Sequence, residues 1–136
     1  MQTNNTLFIG NKEFAKLKNN KLLAAKILAK PIKALTPTNN LIFNGGIIQV
    51  QEGGAIKLIP KKQGDKIKLI DLTANTFKDD YVAQRARGAY IATVCQPEAA
   101  FNLSFAAQAA QEPSYNNAKA LNKRLQWQIN NKEKGL

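Results

Sequence analysis

Two glycine pairs, Gly45-Gly46 and Gly53-Gly54, set into the β-branched run at residues 41–59, constrain the fold of this chain more than any other feature. Isoleucine, valine and phenylalanine favour extended, pleated backbone, and glycine marks where such backbone bends or turns. The run reads as one strand over residues 41–50, a turn at Glu52-Gly53-Gly54, and a returning strand over residues 55–59. Gly45-Gly46 then reads as a bulge or bend within the first strand. Most of the remaining chain has a helical period, so the fold class is α+β.

Residues 11–29 read as a helix with Asn11 as N-cap, Glu13 in its first turn, and Phe14, Leu17, Ala24 and Leu28 on one face. Lys21 interrupts that face, Lys12, Lys16, Lys18, Lys26 and Lys30 form a solvated surface, and Pro31 stops the helix. Residues 33–40 read as a loop. The basic stretch at residues 61–72 reads as a short helix weakened by Gly64, although the alternation Lys66-Ile67-Lys68-Leu69 suits a strand equally. A polar connector at residues 73–78 leads into an all-helical second half. The chain thus divides at 1–59, 60–78 and 79–136.

The second half reads as three helices. The first covers residues 81–94, with Asp79-Asp80 as cap and dipole-complementing first turn rather than a catalytic pair. Val82, Ala86, Ala89 and Thr93 form its seam, Arg85 and Arg87 lie more exposed, and small residues including Gly88 permit close helix approach. Gln96-Pro97-Glu98 ends it and starts a second helix, residues 99–111, whose Phe101 and Phe105 read as core in preference to base-stacking rings. Ser114 or Asn116 caps a third helix reaching about Asn130, with Ala118, Leu121, Leu125 and Gln128 or Ile129 as its seam. Lys119, Lys123 and Arg124 share its other side near Trp127, an arrangement that suits a phosphate contact or a solvated face.

Charge narrows the function. Twenty Lys and Arg against nine Asp and Glu give a net charge of +11, which favours a polyanionic partner, most often nucleic acid. With no histidine and a single cysteine, Cys95, the chain has no His-based general base, no intramolecular disulfide and no zinc-type ligand set. No apolar run approaches the roughly 18 residues of a membrane span and no targeting signal is visible, so the expectation is an intracellular chain, in cytoplasm or nucleus, without a membrane partner.

The first line, Gln2-Thr3-Asn4-Asn5-Thr6-Leu7-Phe8-Ile9-Gly10, reads as a short apolar strand behind a polar corner. It resembles the catalytic hairpin of reverse transcriptases, in the version found in copia-type retrotransposons of fungi, with Asn4 and Asn5 at the positions of that family's aspartate pair. Phe43, Gly45 and Ile48 match its F-x-G-x-x-I primer grip, where close backbone approach to the primer needs glycine; Gly46 adjoins that pattern. The segment from Tyr81 to Gln108 is similar to the family's block between primer grip and RNase H. Lys119 to Leu125 and Lys134-Gly135-Leu136 are similar to the helix before RNase H. The resemblance implies a truncated palm remnant of strand, helix and hairpin, followed by a three-helix thumb and connection.

It also implies inactivity. The family holds Mg²⁺ on carboxylates, whereas the neutral amides of Asn4 and Asn5 supply no charge to offset dehydration of the ion. No cofactor is expected. The implied capacity is weak, non-catalytic binding of an RNA–DNA hybrid or duplex through Phe43, Gly45, Gly46, Lys61, Lys62, Lys66, Lys68, Arg85, Arg87, Lys119, Lys123 and Arg124. The alternatives are a relic with no specific ligand and a subunit assisting an intact polymerase in trans. Strand edges at residues 7–9 and 41–50 are expected to be exposed and to favour self-association.

Overall fold

The structure is a computed structural model that describes residues 6–136, so the Asn4-Asn5 corner and the reading attached to it lie outside the described residues. Within those residues the sheet departs first from the expected hairpin. It has three antiparallel strands, β1 (Leu41–Phe43), β2 (Gly46–Val50) and β3 (Ile56–Pro60), in the order β1-β2-β3. Asn44 and Gly45 both adopt positive φ (46° and 78°), as a two-residue type I′ turn demands, and Phe43 pairs with Gly46 across it. The break at Gly45 is therefore a chain reversal and not a bulge. Gly53 and Gly54, both at φ 84°, carry the second reversal, and Val50 pairs with Ile56. β2 is consequently the central strand, and only the short β1 and the far side of β3 form edges of this sheet.

Helix α1 (Lys12–Ala24) starts as expected, with the Asn11 side chain accepting from the Phe14 N–H at 2.9 Å. It ends earlier than Pro31 requires. Lys26 enters the left-handed region (φ 55°), its N–H bonds Leu23 O, and the Ile27 N–H bonds Leu22 O. This is a Schellman stop made without glycine. The expected apolar face is not a packed one: no residue of α1 is buried, and Leu28 beyond it is fully exposed. Residues 6–10 form no strand; Phe8 instead lies against Phe14, with ring centroids 5.4 Å apart.

The core belongs to the second half. Helices α2 (Phe77–Val94), α3 (Ala100–Gln108) and α4 (Tyr115–Asn130) pack through Tyr81, Ile91, Cys95, Ala99, Leu103, Ala106, Ala118, Leu121 and Leu125. The seam of α2 is Tyr81, Gln84, Gly88, Ile91 and Ala92, whereas Val82, Ala86 and Thr93 of the expected seam lie outside it. α2 also starts earlier than expected, so Asp79 and Asp80 lie within its first turn, complementing its dipole, and Thr76 is the N-cap residue. α3 turns Leu103 and Ala106 inward, leaving Phe101 and Phe105 78% and 62% exposed and overturning their expected core role. Tyr81 crosses the core and donates its hydroxyl to Ala106 O at 2.8 Å.

The stretch before α2 is neither helix nor strand. A single 3₁₀ turn covers Gln63–Lys66, and residues 67–70 adopt no regular secondary structure, with Ile67 and Ile70 buried in the helical core. Side-chain amides take the place of a neighbouring strand: the Lys68 N–H donates to Gln84 Oε1 (2.9 Å), and Asn122 both accepts from the Ile70 N–H (2.8 Å) and donates to Ile70 O (2.9 Å). Sheet and bundle are joined at a second place. Leu58 of β3 exchanges two backbone hydrogen bonds with Leu136 (2.8 and 3.0 Å), while Gln96 Nε2 donates to Asn131 O (2.8 Å) in the same tail.

Candidate nucleic-acid interface

Ser114 fixes where α4 begins. Its hydroxyl accepts from the Asn117 N–H (3.2 Å) while Asn117 Oδ1 accepts from the Ser114 N–H (2.9 Å), a reciprocal capping box with asparagine in the role usual for glutamate. With Ala118, Leu121, Leu125 and Gln128 turned into the core as expected, the helical period leaves Lys119, Lys123, Arg124 and Trp127 along one side. These four, with Asn116, Ala120 and Asn102 of α3, line an open groove of about 510 Å³.

Its chemistry is one-signed. Among the described residues, three cations line the groove and no carboxylate does. The guanidinium of Arg124 lies 5.4 Å from the Trp127 ring centroid, and the Asn102 carboxamide, set with its oxygen toward Arg124, accepts from Nη2 and Nε. These contacts orient the fork of Arg124 without neutralising it. Lys134 Nζ lies 5.2 Å from the same ring and pairs with Glu98 at 2.8 Å. The hydrogen bond from Lys134, with its charge, holds the Glu98 carboxyl below the usual carboxylate range. This nearby acid is thus already matched by a cation outside the groove lining.

The other expected site residues are dispersed. Lys66 and Arg87, with Gln63, Ala86 and Tyr90, line a second hollow of about 290 Å³ that shares no residue with the first. Arg87 Nη1 there donates to Lys66 O at 3.3 Å. Lys61, Lys62 and Lys68 are exposed but line neither hollow, and Arg85 is half-buried with its Nε unpartnered. At the turn, Phe43 is half-buried, and the space that glycine leaves is used inside the fold. Tyr90 Oη occupies the position of a Cβ on Gly45 and donates to Asn44 O at 3.2 Å. A Cβ on Gly46 would stand 2.5 Å from Leu58 Cδ1 and 3.3 Å from Val94 Cγ1. A side chain at either glycine would thus collide with α2 or β3.

Asn116, Ala120 and Asn102 were not assigned to the site by sequence reasoning, and Asn102 is the one of them on α3. No local signal marks it, because its role follows only once α3 is laid beside α4. Among the described residues no group of three or more Cys, Asp or Glu is placed to hold a metal ion. Among them too, no helix is long and apolar enough to cross a membrane. Comparison of the chain with family models, with curated proteins and with solved structures finds no match.

Proposed function

We propose that this chain binds nucleic acid without catalysing a reaction, through the groove between α3 and α4, as a catalytically inactive segment resembling part of a copia-type reverse transcriptase. The observation that carries the reading is the acid-free convergence of Lys119, Lys123 and Arg124 beside Trp127 and Asn102. Cations of one sign lining a concave site raise the local concentration of an anionic ligand, and each phosphate they neutralise releases condensed counterions. The net charge of +11 adds long-range attraction of the same sign. Loss of catalysis rests on the amides of Asn4 and Asn5, where metal-holding carboxylates are required. The resemblance makes an RNA–DNA hybrid or duplex the first probe.

The test is fluorescence anisotropy over a salt series, with a charge-matched unfolded peptide as control. Changing Lys119, Lys123 and Arg124 together to Gln should flatten the log K against log salt slope by up to about 2.7, or about 0.9 for each phosphate no longer neutralised. Binding that matches the unfolded control, with an unchanged slope in the triple variant, would show that the groove is only a solvated helix face.

A further inference from the structure

Phe101 and Phe105 lie on the solvent side of α3, opposite the buried Leu103 and Ala106. Residues four apart share a helix face, with Cβ atoms about 5–6 Å from each other, so the two rings form one apolar patch. Asn102 locates it: this residue lines the groove and stands three residues, about one helical turn, from Phe105, which in turn adjoins Phe101. The Phe105 side of the patch therefore adjoins the α3 wall of the cationic groove, beyond Asn102, while Lys119, Lys123 and Arg124 supply the α4 side. An apolar protein surface would cover the rings but leave three cations without counter-charge. An unpaired nucleic-acid strand satisfies both halves, since its phosphates match the cations and its bases have free faces to lay on aromatic rings. Bases inside a duplex are already stacked on both faces and give the rings nothing.

We propose that Phe101 and Phe105 are a stacking platform for unpaired bases of a strand whose phosphates lie in the α3–α4 groove, so that the site takes single-stranded nucleic acid in preference to duplex. The proposal rests on the reading of that groove as a nucleic-acid interface. It goes further by assigning two residues outside the cation cluster and the strandedness of the ligand.

The experiment uses the full chain with fluorescein-labelled oligothymidylate of about twelve nucleotides and a blunt duplex of equal length, at matched salt. The single strand should bind more tightly. Phe101→Ala and Phe105→Ala should each weaken it roughly 5- to 100-fold without altering the salt slope. Phe105→Tyr should retain affinity, and Phe105→Leu, which keeps the apolar bulk but loses the ring, should behave like alanine. Circular dichroism on each variant confirms that the helices persist. Equal affinity for single strand and duplex, or unchanged affinity in both alanine variants, would overturn the platform while the triple Gln variant still reports on the groove. Binding no different from the unfolded control for either probe would remove the groove reading and the platform together.

Discussion

Replacing Gly88 with alanine tests the packing that brings α3 and α4 together beneath the groove. A Cβ there would stand 2.7 Å from Gln128 Oε1, 3.0 Å from Leu103 Cδ2 and 3.2 Å from Leu125 Cδ2. Gln128 is 1% exposed and has little freedom to retreat, since its Nε2 donates to Gly88 O at 3.0 Å and to Gln96 Oε1 at 3.3 Å. Crowding a packed core costs about 1–3 kcal/mol, and leaving a buried amide short of a partner costs about 1–3 kcal/mol more. Alanine's better helix propensity offsets about 1 kcal/mol of that. Gly88→Ala should therefore lower stability by about 1–5 kcal/mol, a large part of the roughly 5–15 kcal/mol typical of a domain. Urea unfolding followed by Trp127 fluorescence and by circular dichroism measures it, with a lower midpoint and an unchanged slope expected. Ala86→Gly, on the far side of the same helix from the buried seam, calibrates propensity alone. A midpoint for Gly88→Ala equal to or above the parent would refute the close approach of the three helices.

Two further outcomes follow from buried polar groups. Asn122→Ala removes both partners of the Ile70 backbone and should cost about 2–4 kcal/mol in the same urea assay, whereas removal of a solvated side chain would cost almost nothing. Burial, with a smaller push from the Glu98 charge, raises the Cys95 thiol from its ordinary 9.0 to about 11, so alkylation at neutral pH should be slow until urea unfolds the chain. Because the folded value lies above the unfolded one, this contribution is full below pH 9 and is lost as pH rises toward 11. Unfolding midpoints should fall through that window, less steeply in Cys95→Ala; a fall of equal steepness in the variant would show that Cys95 contributes nothing to it.

The last helix was the most legible part of the chain. Its cap, its buried seam and its basic side all follow from Ser114 and a 3.6-residue period, because a capped amphipathic helix is specified by near neighbours. Asn44-Gly45 was legible too, as the strongest short hairpin signal available, but treating Gly45-Gly46 as a unit obscured it. The seam of α2 was misplaced for a physical reason. Its buried set includes Gln84 and Gly88, which hydropathy ranks low and which are inside because they bond the connector and admit α4. Phe101 and Phe105 erred the other way, since hydrophobicity alone does not say which of several apolar arcs on α3 meets α2 and α4. For the same reason, a periodic apolar pattern did not bury α1.

The pairing of Leu58 with Leu136 bears on how the molecule folds. These residues flank, in sequence, all of α2, α3 and α4, so their ladder closes only after the intervening chain is compact. Contacts within the bundle span shorter loops and incur less closure entropy, which places the bundle early and this junction late. Interactions formed after the transition state govern escape from the native state more than arrival at it. Weakening the junction should leave the refolding rate nearly unchanged and accelerate unfolding, making two hydrogen bonds at the margin of β3 a determinant of the lifetime of the folded chain.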